Sequence, residues 1–147
     1  MNLKDTIQWF YKAAEDYDAA KILNSALKKH NEIICYLCSQ ATEKYLKGYL
    51  VYNDHEIENT HNLPYLNNLC LQYDNCFNDI KDECSLLNKF NNNIRYPDGI
   101  EANSNDVNLS FKALENIINL EALKKLEQII QNQNTEKVFE QRRKNNP

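Results

Sequence analysis

Among the 17 basic residues of this 147-residue chain, arginine occurs only at 95, 142 and 143. Arg95 is the one guanidinium before the C-terminal stretch, and its planar fork is not replaced by an ammonium. It stands directly before Tyr96 and Pro97. Cation and ring side by side suit gripping a phosphate and stacking a base, with a structural loop anchor as the alternative use. Gln40, Lys44 and Lys47 recur three and four residues apart, which puts them on one helix face. Two ammonium groups there can bind phosphates, or can form a solvated face whose charge Glu43 partly cancels. His61 falls in the first turn of an expected helix, where free amides and the dipole favour anions. Proton transfer, phosphate binding and simple capping are all open to it. Asp16 interrupts an apolar stripe, and a buried carboxylate needs a partner such as Lys44 or Arg95.

Other chemistries lack their residues. There is no glycine-rich phosphate loop, no His-Glu-x-x-His and no Gly-x-Ser-x-Gly, the patterns of nucleotide hydrolases, zinc proteases and serine hydrolases. Five cysteines stand at 35, 38, 70, 76 and 84. Cys35 and Cys38 form one Cys-x-x-Cys pair without the second pair or nearby His of a metal site, so the thiols read as reduced core residues, with no metal and no cofactor expected. A net charge of -4 argues against a broadly basic nucleic-acid surface but permits a local basic patch. The charged N-terminal residues are foreign to a secretory leader, and no uncharged run is long enough to span a bilayer. A cytoplasmic protein is expected. Asn, Ile, Lys and Tyr are abundant, as in AT-rich coding sequence, so the Asn clusters at 67–68 and 91–93 receive no weight.

The elements that must hold these residues are helical. Only two glycines and three prolines punctuate the chain, too few turn formers for a β-sandwich. Trp9, Ala13, Asp16, Ala20, Leu23 and Leu27 form one stripe of a first helix over about 3–29. Ile34, Cys38, Ala41, Tyr45, Gly48 and Tyr52 give a second over about 32–53. A third opens at Thr60 or Asn62 with Pro64 in its first turn. Phe77, Ile80, Cys84 and Leu87 mark a fourth over about 76–92. After the turn Arg95-Tyr96-Pro97-Asp98-Gly99, one last helix carries Val107, Phe111, Leu114, Ile118, Ala122, Leu126 and Ile129. The expected fold is all-α, an up-and-down bundle of about five antiparallel helices over 1–131. Residues 132–147 read as a polar, frayed or disordered tail.

Four segments together resemble the HEPN (higher eukaryotes and prokaryotes nucleotide-binding) family. They are Trp9 with Ala13-Ala14-Glu15-Asp16-Tyr17, Ser39-Gln40-Ala41-Thr42-Glu43-Lys44-Tyr45-Leu46-Lys47, Thr60-His61-Asn62-Leu63, and Arg95-Tyr96-Pro97. The resemblance implies a helical bundle, commonly a homodimer with a cleft between protomers. It also implies a nucleotide or RNA ligand and, in many members, a minimal nucleotidyltransferase partner in toxin-antitoxin-type pairs. Catalytic branches are metal-independent RNases with an Arg followed, after four to six residues, by a His. Here positions 100, 101 and 102 are Ile100, Glu101 and Ala102. Proton transfer from a ribose hydroxyl needs a group titrating near neutrality, so the resemblance points to the branch without the RNase signature. In that reading Lys44, Lys47, His61, Arg95 and Tyr96 line the site, with Asp16 and Gln40 in support and no catalytic residue. The alternatives are an RNase with a displaced His, supplied by His61, and a purely structural dimerisation bundle.

Overall fold

The computed structural model describes residues 2–91 and 96–145, and for 135–142 and 145 the backbone alone. Among the described residues six α-helices follow in order: α1 Leu3–Asn24, α2 Asn31–Tyr52, α3 Leu63–Leu71, α4 Lys81–Asn88, α5 Ser104–Ile118 and α6 Glu121–Asn145. A 3-10 turn, Asn75–Ile80, leads into α4. Among the described residues there is no strand. None of their helices is long and apolar enough to cross a membrane.

Helix starts follow side-chain capping. Asn2, Asn62 and Asn103 each accept a hydrogen bond from the backbone N–H three residues on, and Asn103 with Asp106 completes a reciprocal capping box. Pro64 sits in the first turn of α3, where its missing N–H costs nothing. The first helix stops at Asn24 rather than near 29. The Ser25 hydroxyl takes the Ile22 carbonyl at 2.8 Å and the Lys29 ammonium takes the Asn24 carbonyl, so side chains satisfy the last turn and Leu27 is left in solvent.

The expected last helix is two. Asn119 N–H reaches the Glu115 carbonyl and Leu120 N–H the Ile117 carbonyl, closing α5 before α6 begins. The break resets the phase of the apolar stripe. Ile130 is buried where the unbroken stripe would have buried Ile129, which is 37% exposed. α6 then continues as helix through the polar stretch past 131.

The core lies around α2, which packs most extensively on α1 and also meets α3, α4 and α5. Ile34, Leu46, Leu63, Phe77, Leu87, Phe90, Leu114 and Leu123 are fully enclosed. α1 and α2 run antiparallel, with Phe10 beside Gly48 and Asp16 beside Lys44. The approach at Gly48 is close: a Cβ there would lie 2.7 Å from a Phe10 ring carbon and 3.1 Å from Trp9 Cβ.

Candidate functional site

On α2, Ser39, Glu43 and Lys47 stand one turn apart and are buried, a polar row beside the helix's buried apolar residues. Glu43 is the hub. Its carboxylate lies 3.1 Å from Lys47 Nζ and 3.0 and 3.1 Å from His61 Nδ1, and it accepts from Asn91 Nδ2 at 3.3 Å. These donors replace the water lost by a carboxylate that is only 4% exposed. Lys47 Nζ also lies 5.8 Å from the centre of the Trp9 ring, close enough for cation–π attraction.

Asn91, 4% exposed, ties three segments together. Its Oδ1 accepts from Gln40 Nε2 at 2.7 Å and from Ser39 Oγ at 3.1 Å, while its Nδ2 also donates to the His61 carbonyl. The amide thus locks the end of α4 onto α2 and onto the segment before α3. Position 91 is also where the chain enters the Arg95-Tyr96-Pro97 segment.

The His61 side chain is 57% exposed. With Nδ1 donating to Glu43, the outer nitrogen Nε2 is the one left to accept a proton or meet a ligand. A carboxylate behind an imidazole fixes the ring's tautomer and orientation. The pair is competent to bind an anion when protonated and to move a proton when neutral.

The structure groups Gln40, Lys47 and His61 through Glu43 and Asn91. Lys44 is directed elsewhere, to the Asp16 carboxylate on α1, with both side chains about three-quarters buried or more. The stripe that spacing placed on one face is therefore divided between two ion pairs, one with α1 and one within α2. Tyr96 is 64% exposed, and Arg95 lies outside the described residues. Ile100 is 45% exposed, and the Ala102 N–H donates to Glu32 Oε1 at 3.3 Å, pinning the end of that segment to the start of α2.

Glu43 and Asn91 are the members that sequence reasoning undervalued. Glu43 was legible as a carboxylate one turn from Lys47 inside a buried helix, while Asn91 was hidden in an asparagine-rich background. The cysteines are free, four of them buried. Burial pushes the Cys38 and Cys84 thiols up to about 12 and Cys76 to about 11. These are poor nucleophiles, since the thiolate is the reactive form. Among the described residues no group of His, Cys, Asp and Glu is placed to hold a metal ion.

Comparison with known proteins gives the fold a family. The structure is similar to the crystal structure of an archaeal HEPN homologue, with a TM-score of 0.61 and 23% identity over 85% of this chain and 97% of that one. At that identity the likeness bears on the fold alone. No curated protein matches the chain. The sequence profile of the HEPN domain matches residues 7–129, from the first turns of α1 to the last buried turn of α6. The chain belongs to the HEPN domain family.

Proposed function

We propose that this chain is a non-catalytic, homodimeric nucleotide- or RNA-binding module whose phosphate contacts come from His61, Arg95 and Tyr96. Membership of the HEPN family supports a nucleotide- or RNA-related module. The observation that carries the finer reading is the His61 ring, half exposed and braced from behind by buried Glu43. Lys44 and Lys47 contribute less to ligand binding than their spacing implies, because Asp16 and Glu43 already neutralise them. Arg95 is four residues beyond Asn91, so the backbone can span at most about 15 Å between them. A minimal nucleotidyltransferase that modifies or restrains the module, in a toxin-antitoxin-type pair, is part of the same proposal.

Titration with mononucleotides and short RNA tests it. Arg95→Ala and His61→Ala should each weaken binding about tenfold or more, the scale of one lost charge-assisted contact. Lys44→Ala should change affinity less. Equal binding by all three variants would defeat the site assignment.

The Glu43–His61 pair specifically favours one second reading, an RNase using a displaced imidazole. Incubation with RNA in the absence of metal separates the two. The expected outcome is no cleavage above control, because the position of the family's His carries Ile100, Glu101 or Ala102, and losing a general acid or base costs about a hundred- to ten-thousand-fold. Cleavage by the wild type that both Arg95→Ala and His61→Ala abolish, with the bundle intact, would establish the second reading instead.

A further inference from the structure

Near its start α1 carries Asp5, Gln8 and Trp9 on one side, since residues three and four apart share a helix face. Facing them, the chain leaves α2 through a tight turn. Asp54 N–H donates to the Val51 carbonyl at 3.0 Å and His55 N–H to the Leu50 carbonyl at 2.9 Å. Asp54 takes the left-handed conformation at φ 58°, a place usually given to glycine at a helix end. Between the two segments lies a cleft of about 390 Å³, with Asp5, Gln8 and Trp9 on one wall and Val51, Asp54 and Ile57 on the other. That volume falls in the ~300–1,000 Å³ range usual for small-ligand sites.

The cleft adjoins the Glu43 hub. Val51 stands one turn of α2 beyond Lys47, which stands one turn beyond Glu43, so this row leads from the carboxylate behind His61 to the cleft wall in about 12 Å. Lys47 Nζ lies over the same Trp9 ring that lines the cleft. The lining decides between ligands. Two carboxylates would suit a cation, but the Lys47 ammonium already stands against the indole and would repel one. A phosphate would be repelled by the carboxylates themselves. A flat neutral ring that carries N–H donors meets neither objection, because it can stack on an indole and donate to a carboxylate.

We infer that this cleft is the base pocket of the site and that it selects guanine, stacked on Trp9 and read by Asp5, Gln8 and Asp54. The inference rests on the nucleotide-binding reading of His61 and adds to it which base is taken and where. Guanine sets two adjacent N–H donors beside a carbonyl oxygen, so a carboxylate accepts from the first two and the exposed Gln8 amide donates to the third. Adenine and cytosine offer one amino group beside an acceptor nitrogen, and uracil a single N–H between two carbonyls. Asp5 is steadied for this task, its Oδ2 accepting from Asn2 Nδ2 at 2.7 Å. Charge orients the nucleotide, with the carboxylates at the base end and His61 at the phosphate end.

Trp9 is the only tryptophan, so its fluorescence reports whether the cleft is filled. The test titrates the protein with GMP, AMP, CMP, UMP and ribose 5-phosphate, followed by calorimetry and by that emission. GMP should bind about tenfold or more tightly than UMP and quench Trp9, and ribose 5-phosphate should leave the emission unchanged. Asp5→Asn combined with Asp54→Asn should bring GMP down to the UMP level. Both positions are exposed and asparagine tolerates the left-handed conformation at 54, so circular dichroism should show the helices kept. Trp9→Leu should weaken GMP about tenfold, the scale of one stacked base. His61→Ala should weaken all four nucleotides alike and leave GMP ahead of UMP. Nucleotide binding without base preference and with unchanged emission would overturn the cleft and leave the His61 site standing. A guanine preference and quenching that survive His61→Ala at full affinity would uphold the cleft and overturn the phosphate assignment, and the absence of all binding would overturn both.

Discussion

At the scale of single residues, two lysines one turn apart on α2 have different surroundings and should respond differently to mutation. Lys47 and its carboxylate partner Glu43 are each less than 10% exposed, whereas Lys44 and Asp16 keep 25% and 20% of their side-chain surface in water. Truncating Glu43 strands a buried ammonium, removes the brace behind His61 and leaves an Asn91 amide hydrogen with one acceptor fewer. Breaking a buried pair from one side costs about 3–5 kcal/mol. Lys44→Ala leaves an Asp16 carboxylate that keeps a fifth of its surface in water, so its cost should fall below that of Glu43→Ala. Urea unfolding of Glu43→Ala and Lys44→Ala should show this contrast, and equal midpoints would contradict the assignment of Glu43 as the hub. Trp9 is the only tryptophan, and Lys47 lies over its ring, so its fluorescence should also shift in Glu43→Ala. Spacing could place Gln40, Lys44 and Lys47 on one side of α2. It could not say which neighbour each would meet, because that depends on how α1 and the segments around His61 and Asn91 pack against the helix.

At the scale of elements, the α1–α2 seam is set by a single missing methyl. Gly48 sits inside α2, about one turn before its end, and within a helix alanine is intrinsically better by about 1 kcal/mol. The tertiary effect opposes it. A Cβ would fall 2.7 and 2.8 Å from two Phe10 ring carbons, and Phe10 is 4% exposed and packed edge-on against Tyr45 at 5.1 Å, so the ring has little room to yield. Overpacking of this kind costs about 1–3 kcal/mol. Gly48→Ala should therefore lower stability despite its helix propensity, measurable as a reduced thermal midpoint, and a stabilised variant would mean that the helices can part freely. Helical periodicity identified the helices, but on α1 it put Trp9 and Leu27 inward where Thr6 and Phe10 are buried and Leu27 lies in solvent. The break between α5 and α6 escaped it because Asn119 and Leu120 end one helix and start the next with no proline or glycine, and the apolar residues continue at nearly the same spacing across the junction. Capping, by contrast, was legible at Asn62, one of the two residues the sequence offered for the start of α3, where a local side chain decides the start.

At the scale of the whole molecule, the thiols make stability depend on alkaline pH. Burial raises all five: Cys38 and Cys84 to about 12, Cys76 to about 11, and Cys35 and Cys70 upward for the same reason. Tyr49 moves to about 12, again mainly through burial. A thiol exposed by unfolding ionises near its ordinary value of 9.0. Below that pH both states hold the proton, and the preference for the neutral thiol costs the folded state nothing. Between 9 and 12 the unfolded chain has lost protons that the folded chain retains, so mass action favours unfolding. Stability then falls as pH rises, by about 1.4 kcal/mol per pH unit for each fully lagging thiol. Two such thiols, Cys38 and Cys84, approach about 5 kcal/mol between pH 9 and 11, a large share of the ~5–15 kcal/mol that holds a typical domain together. Urea midpoints under reducing conditions should be flat from pH 7 to 8.5 and drop steeply above 9. Tyrosines contribute to the same decline, so the decisive measurement is the difference between wild type and the Cys38→Ala, Cys84→Ala double variant. The variant should start lower, having lost core volume, yet lose stability less steeply. Parallel pH profiles for the two proteins would show that these thiols ionise as readily folded as unfolded, which their enclosure among α2, α4 and α5 forbids.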